Sequence, residues 1–210
     1  FKRISWNEAL NRVAERFMAV TDKHGSEAVW PFYFAGTMGL VQRDGINRLR
    51  NAMKYSRWFS TICVTLSDTG WIAGTGVKRG ADVREVDEHS ELVVIWGGNP
   101  VNTQVNVMTH ISKARKERGA KLAVVDTYRT PTAAVADLHI APRPGTDGAL
   151  ACAIMHVAFR DGYADRAYME AHTDFPAGLE AHLRTRDPVW AAAITGIPAA
   201  DIEAFARLYC

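Results

Sequence analysis

Two apolar segments, each followed at once by small or acidic residues, constrain this chain more than any other feature of its sequence. Leu92–Trp96 runs directly into Gly97-Gly98-Asn99-Pro100, and Lys121–Val125 ends on Asp126. Apolar residues recur at helical spacing between the two segments, which predicts a helix over 103–118. A strand, a helical crossover and a second strand describe adjacent parallel strands. The glycine loop and Asp126 should then lie at the same edge of one sheet.

The same pattern continues downstream. A third short strand is predicted around Leu138–Ile140, followed by Pro144-Gly145-Thr146-Asp147 and a largely apolar helix over 149–159. Ligands of parallel sheets bind in the crevice outside the carboxyl ends of the strands. The sequence therefore predicts an α/β fold of parallel-sheet, Rossmann-like lobes with helices on both faces and a ligand crevice at that edge.

The N-terminal part predicts a smaller lobe of the same kind. Ser5-Trp-Asn-Glu8 has the form of a capping box and starts a helix that should end near His24. Ala28–Phe34 is strand-like, although Pro31 favours an edge or a bulge. A helix is predicted to follow over 41–56.

The remaining stretches complete the predicted organisation. Small and hydroxyl residues over 61–76 suit close backbone approach to a large ligand, and the acidic stretch 82–90 is predicted as a connector. Short C-terminal helices are predicted near 164–171, 176–184, 188–194 and 199–209. We predict a partial first α/β lobe over 1–60 and a dinucleotide-binding lobe with a helical C-terminal segment over 61–210.

Composition excludes several classes of partner. The formal charge of +2, with no basic run and interleaved aromatics, argues against nucleic acid. No apolar stretch approaches the ~20 residues of a membrane span, so direct membrane insertion is not expected. Cys63, Cys152 and Cys210 are too few and too irregularly spaced for a disulfide framework or a cysteine-rich metal motif.

Both ends of the sequence indicate an internal piece of a longer protein. Phe1 precedes a helix cap by a few residues, without an initiator Met, and Cys210 falls inside an amphipathic pattern. The compartment, cytoplasmic or periplasmic, is therefore left open.

The loop of Gly97, Gly98 and Asn99 is the first candidate binding element. A loop between a strand and a helix offers unpaired N–H groups and a favourable helix dipole to an anion. The loop matches neither the NAD-binding fingerprint nor a phosphate-binding P-loop. Glycines at such a turn can also serve backbone geometry alone, so both interpretations stay open at this point.

Asp126 and Asp147 are the candidate carboxylates. A carboxylate at the end of the second strand is where ribose hydroxyls are commonly bound, and the two acceptor oxygens of Asp147 match the two adjacent donors of guanine. Each could instead cap a following helix. Arg129 and Arg143 are candidate phosphate partners or ordinary surface residues.

Cys63 is the candidate reactive residue. A lone Cys is usually a small buried apolar residue, but hydroxyl residues and glycines follow this one, which favours a thiolate that faces a ligand. Thiolates select soft or high-valent transition metals. Cys152 lies in an apolar helix and is predicted to be a core residue, and the histidines show no ligand spacing.

Taken together, the motifs resemble the catalytic subunit of the molybdopterin oxidoreductases, the dimethyl sulfoxide reductase superfamily. They occur in family order along nearly the whole chain: Ile4–Leu10, Thr61-Ile62-Cys63, Trp96–Pro100, Asp126–Thr130, Ala136-Asp137 and Arg143–Leu150.

The resemblance implies a molybdenum or tungsten ion held by two molybdopterin guanine dinucleotides, with Cys63 as the protein ligand and catalytic residue. By motif position, Gly97, Gly98 and Asn99 approach the dinucleotide phosphates. Asp126, Thr127 and Arg129 line the ribose and phosphate region, and Gly145, Thr146 and Asp147 line the guanine. It also implies a small-molecule substrate, an iron–sulfur cluster in a missing N-terminal part, and an iron–sulfur electron-transfer subunit.

The implied activity is two-electron redox or oxygen-atom transfer. Formate dehydrogenases of this family carry His after the metal-binding residue, where this chain has Val64, which disfavours formate as the substrate. The upstream cluster motif and the later domains of the family are absent, so the chain should be inactive alone. Two alternatives are a non-catalytic homologue acting as an electron-transfer scaffold and an ordinary Rossmann-like nucleotide-binding domain.

Overall fold

The computed structural model describes residues 1–32, 45–57 and 64–210. Contacts divide the chain into two compact units, Phe1–Arg79 and Gly80–Cys210, and each is considered by itself. The predicted division into a lobe over 1–60 and a lobe over 61–210 stays a prediction.

The first unit is helical where it is described. Its helices are α1 (Trp6–His24), α2 (Gly45–Met53) and α3 (Thr65–Thr75), with a 3-10 turn at Ser26–Ala28. The predicted start of α1 is confirmed, because the Ser5 hydroxyl accepts the Glu8 N–H at 3.2 Å. The helix ends at Gly25, whose φ of 87° is a value that glycine adopts readily because it has no Cβ.

The strand predicted at 28–34 is wrong over its described residues. Ala28 belongs to the 3-10 turn, and no strand is assigned to 29–32, while 33–34 lie outside the described residues. Pro31 has no N–H to donate to a ladder. Instead, Ser56 ties this segment down, since its N–H donates to Val29 O at 3.0 Å and its hydroxyl to Glu27 O at 2.6 Å.

Two stretches for which no helix was predicted contain helices. In α3 the threonine hydroxyls donate back to carbonyls one turn earlier, as Thr69 does to Thr65 O at 2.7 Å, so the hydroxyl residues fit a helix. The predicted connector 82–90 is largely α4 (Val83–His89). Asp82 caps α4 by accepting the Arg84 N–H at 2.9 Å, so the acidic start of this stretch is a helix cap.

The second unit contains the predicted parallel sheet. Its strands are β1 (Leu92–Trp96), β2 (Lys121–Val125) and β3 (Leu138–Ile140), in the order β1-β2-β3. All pairings are parallel, with Leu92 opposite Lys121 and Trp96 opposite Val125. The prediction that the strands at 92–96 and 121–125 are adjacent and parallel is confirmed.

The side chains of β2 alternate between two hydrophobic clusters, so the sheet is covered on both faces. Leu122 and Val124 pack with Ile111 and Ala133 on one face. Ala123 and Val125 pack on the other, in a cluster whose buried members from the C-terminal helices are Leu150, Ala153, Ile154, Val157, Ala191, Ile202, Phe205 and Ala206. Helices on both faces confirm the predicted α/β class.

The remaining helices of the second unit are α5 (Val105–Arg118), α6 (Pro131–Ala134), α7 (Asp147–Arg160), α8 (Arg166–His172), α9 (Pro176–Leu183), α10 (Pro188–Thr195) and α11 (Ala199–Tyr209). Within the described ranges no single helix is long and apolar enough to cross a membrane. Only α10 and α11 taken together reach that length and apolarity, and they are bent by 116° at their junction.

Asp137 ties the beginning of β2 to the beginning of β3. Its carboxylate accepts the Leu122 N–H at 2.8 Å and the Arg115 guanidinium at 3.1 Å. The backbone N–H of Leu122, with the Arg115 charge, lowers the pKa of this carboxyl despite partial burial. The group therefore favours the folded state while it is ionised.

We expect Asp137→Ala to lower the free energy of unfolding by about 1–3 kcal/mol at pH 7, because the buried Leu122 N–H loses its acceptor. The folded pKa is lowered, so this contribution is present above the unfolded pKa of about 4 and is lost as the pH falls through the folded pKa. Urea denaturation at pH 7 and pH 3 measures the difference, with Asp174→Ala as an exposed control. A difference between wild type and variant that persists undiminished at pH 3 would contradict this role.

Candidate functional site

The predicted site residues begin one position beyond the strands. The Gly97 N–H donates to Val125 O at 2.8 Å and the Asp126 N–H donates to Ile140 O at 3.1 Å, so both extend the ladder by one residue. The prediction that Gly97–Asn99 and Asp126 lie at the same edge is therefore confirmed.

The glycine loop has both an open face and unpaired donors. Gly97 has a φ of +66°, and a Cβ built on it would meet nothing within 4 Å. Its N–H belongs to the sheet and is not available to a ligand. Within the described part of the chain, the N–H groups of Gly98 and Asn99 have no acceptor. Those two donors, rather than Gly97, are the ones that an anion could use.

The Asn99 side chain is hydrogen-bonded to Thr132, a residue that the sequence analysis did not single out. Asn99 Oδ1 accepts from the Thr132 hydroxyl at 2.8 Å, and Thr132 Oγ1 accepts the Val101 N–H at 3.1 Å. Thr132 is fully buried. The Asn99 side chain therefore fixes the loop to the start of α6 and leaves its backbone for a ligand. No local signal connects these residues, which are 33 positions apart.

Asp126 stands half-buried at the end of β2, and Thr127 and Arg129 after it are exposed. Asp126 does not cap the next helix. Thr130 does so, because its hydroxyl accepts the Ala133 N–H at 3.1 Å and Pro131 follows it. The cap alternative for Asp126 is wrong, and its carboxylate stays at the edge.

Asp147 is the first residue of α7, and its carboxylate is bound by a distant side chain. Trp96, the last residue of β1, donates its indole N–H to Asp147 Oδ1 at 2.8 Å. The N-cap position belongs to Thr146, which makes no side-chain cap bond and instead donates to Arg143 O at 2.6 Å. The cap alternative for Asp147 is thus wrong too. Gly145 before it has a φ of +79° and open space at its Cβ position.

Comparison with known proteins identifies the family. The family model described as molybdopterin oxidoreductase matches residues 1–196. The chain belongs to the molybdopterin oxidoreductase family.

Curated members of the family resemble the chain along its whole length. The probable oxidoreductase YoaE of Bacillus subtilis is 35% identical over 100% of this chain and 31% of its own length. Formate dehydrogenase H of Escherichia coli is 31% identical over 98% of the chain and 29% of its length. The chain therefore spans about three-tenths of these curated relatives.

A solved structure supports the fold of this molybdopterin oxidoreductase chain. Acetylene hydratase from Pelobacter acetylenicus superposes with a TM-score of 0.68 at 24% identity, covering 98% of this chain and 28% of that one. At that identity the likeness carries the fold alone.

The chemistry of the residues at the carboxyl edge suits a nucleotide. Two backbone N–H donors on Gly98 and Asn99 suit a phosphate, and the carboxylates of Asp126 and Asp147 suit sugar hydroxyls and base donors. Open space at the Cβ positions of Gly97 and Gly145 leaves room for close approach.

The sequence also singled out Arg143, Cys63 and Cys152. The guanidinium of Arg143 lies 3.4 Å from the carbonyl oxygens of Ala193 and Ile194, at the end of α10, so it serves the fold. Cys63 lies outside the described residues, and in the described part no group of three or more His, Cys, Asp or Glu could hold a metal ion. Cys152 is half-buried within α7.

We expect Thr132→Val to lower the free energy of unfolding by about 1–3 kcal/mol, because the shape is kept while the Val101 N–H and Asn99 lose their buried partner. Urea denaturation measures the loss. Thr109→Val, an exposed threonine on α5, is the matched control and should be nearly neutral. Equal effects of the two substitutions would show that the Asn99–Thr132 bond contributes nothing to the loop.

Proposed function

We propose that this chain is part of an oxidoreductase that uses bis(molybdopterin guanine dinucleotide) with molybdenum or tungsten, and that its carboxyl edge binds one of the dinucleotides. The observation that supports this is the convergence of separate motifs. The glycine loop and Asp126 share one sheet edge, and the Trp96 indole ties Asp147 to the end of β1 at that edge.

Each group at the edge has a task that its chemistry allows. The N–H groups of Gly98 and Asn99 donate to dinucleotide phosphate oxygens, and the exposed Arg129 adds positive charge beside them. Asp126 accepts hydrogen bonds from ribose hydroxyls, and the Thr127 hydroxyl donates to them. Asp147 accepts from the two donors on the Watson–Crick edge of guanine, while Gly145 and Thr146 line the base.

The cofactor supplies the two-electron redox or oxygen-atom transfer chemistry when bound. The protein supplies a thiolate ligand from Cys63, which follows from motif position, and an orienting cradle for the nucleotide. Val64, after that Cys, disfavours formate among the small-molecule substrates of the family. An iron–sulfur cluster upstream and an iron–sulfur partner subunit would carry the electrons.

The nucleotide assignment is tested by titrating the chain with GDP, ADP and NAD. If Asp147 binds guanine, GDP binds more tightly than ADP, because adenine presents no adjacent pair of donors on its Watson–Crick edge. Tighter binding of NAD than of GDP would support an ordinary nucleotide-binding domain instead.

We expect Asp147→Asn to weaken GDP binding by about 1–3 kcal/mol, because an amide places a donor against a donor of the base. ADP binding should change much less. Asp201→Asn is the matched control, since Asp201 also lies in the first turn of a helix, α11, and faces solvent. Isothermal titration calorimetry measures both variants. Parallel weakening of GDP and ADP by Asp147→Asn would contradict base recognition.

Cys63→Ser separates a metal ligand from a core residue. A ligand change from soft sulfur to hard oxygen should alter the electron paramagnetic resonance spectrum of the metal in the holoenzyme, while the pterin stays bound through its own dithiolenes. If Cys63 is instead a core residue, Cys63→Ser should lower the free energy of unfolding only slightly and leave the spectrum unchanged. Cys152→Ser, in α7, is the control. A spectrum identical to that of the parent enzyme excludes Cys63 as the ligand.

A further inference from the structure

Trp96 makes one polar contact that the family assignment does not explain. Its indole N–H donates to Asp147 Oδ1 at 2.8 Å across 51 positions of sequence. This bond joins the end of β1 to the beginning of α7, and both residues lie in the second unit. An indole N–H can only donate, so it interacts favourably with the ionised carboxylate.

We propose that Trp96 is a positioning residue for guanine recognition: its indole N–H orients the Asp147 carboxylate toward the base and so sets the selectivity of the site for a purine with a 2-amino group. This inference rests on the proposed function, and it adds a second residue, outside the base-binding motif, to the origin of that selectivity.

The position of Asp147 makes such a partner necessary. A carboxylate in the first turn of a helix is attracted to the unpaired N–H groups of that turn. The N-cap residue Thr146 makes no side-chain cap bond to these groups, and its hydroxyl donates to Arg143 O at 2.6 Å. Without the indole, the Asp147 carboxylate would be free to turn back onto its own helix and away from a ligand.

Trp96 itself is held rigidly enough to act as the fixed partner. Its backbone belongs to β1, opposite Val125, and its ring centroid lies 6.5 Å from that of the fully buried Phe205 in α11. Its side chain still reaches the surface, since Trp96 is 36% exposed at the edge that carries the glycine loop.

The hydrogen bond to Trp96 leaves enough acceptors for the base. An ionised carboxylate has about four lone-pair sites. The indole occupies one of them on Oδ1, and no side chain in the described part of the chain donates to Oδ2. The two donors of guanine, N1–H and the 2-amino group, can therefore both be accepted while Trp96 stays bound.

The test compares GDP with inosine diphosphate, which lacks only the 2-amino group, on the complete chain. We expect wild type to prefer GDP by about tenfold, because one charge-assisted hydrogen bond distinguishes the two. Trp96→Phe keeps an aromatic ring but removes the N–H, and should reduce that preference to less than about threefold. A purely structural tie would weaken both nucleotides equally and leave their ratio unchanged.

Trp190→Phe is the matched control. Trp190 is a half-buried tryptophan in α10 whose ring lies 4.9 Å from the Arg186 guanidinium, and the Asp147 carboxylate is bound by Trp96 rather than by Trp190, so its replacement should leave the GDP preference intact. If Trp96→Phe does not fold, as judged by circular dichroism, Trp96→Leu provides the same comparison, because its side chain also has no hydrogen-bond donor.

The outcomes separate the two proposals. Suppose that the wild-type chain prefers GDP over inosine diphosphate and the Trp96 variant keeps that preference in full. This result overturns the role of Trp96 and leaves the proposed function standing. A wild-type chain that does not prefer GDP over ADP overturns guanine recognition, and the role of Trp96 with it. Loss of preference in the Trp96 variant alone supports the inference.

Discussion

Burial of the central strand on both faces is the constraint on which the rest of the second unit depends. Leu122 to Val125 are wholly inaccessible to solvent, so the N–H and C=O groups of β2 must find partners in neighbouring strands. Parallel pairing with β1 and β3 supplies them. Parallel neighbours need crossover connections, and the crossover helices α5 and α6 close one face of the sheet, while the C-terminal helices α7, α10 and α11 close the other.

The same constraint explains why the candidate site is at one edge. In a parallel sheet all strands end on the same side, so the residues beyond them meet there. Gly97 and Asp126 each continue the ladder by one hydrogen bond before the chain turns away. The loops beyond this point present backbone with unpaired donors and short polar side chains, which is the chemistry that a nucleotide needs.

Long-range side-chain bonds hold the loops against the sheet. Asp137 links two strand beginnings, Asn99 binds Thr132 under the glycine loop, and Trp96 binds Asp147 across the carboxyl edge. The first two involve buried groups, Leu122 N–H and the Thr132 hydroxyl, that would be costly to leave unpaired. These bonds turn a generic parallel sheet into a site of defined shape, and the proposed chemistry is left to the cofactor it would hold.

The sequence by itself determined the elements whose signals are local. Strands of apolar residues, the Ser5 cap and most helices were predictable because period, caps and glycine ends act within a few residues. Local signals misled where the same polar residues suit a loop and a helix cap: the acidic start of 82–90 caps α4, and Thr130, not Asp126, caps α6. Only the tertiary structure decided that Trp96 meets Asp147 and that Thr132 meets Asn99. These partners are 51 and 33 positions apart, and hydrogen bonds act over about 3 Å, so folding alone brings them together.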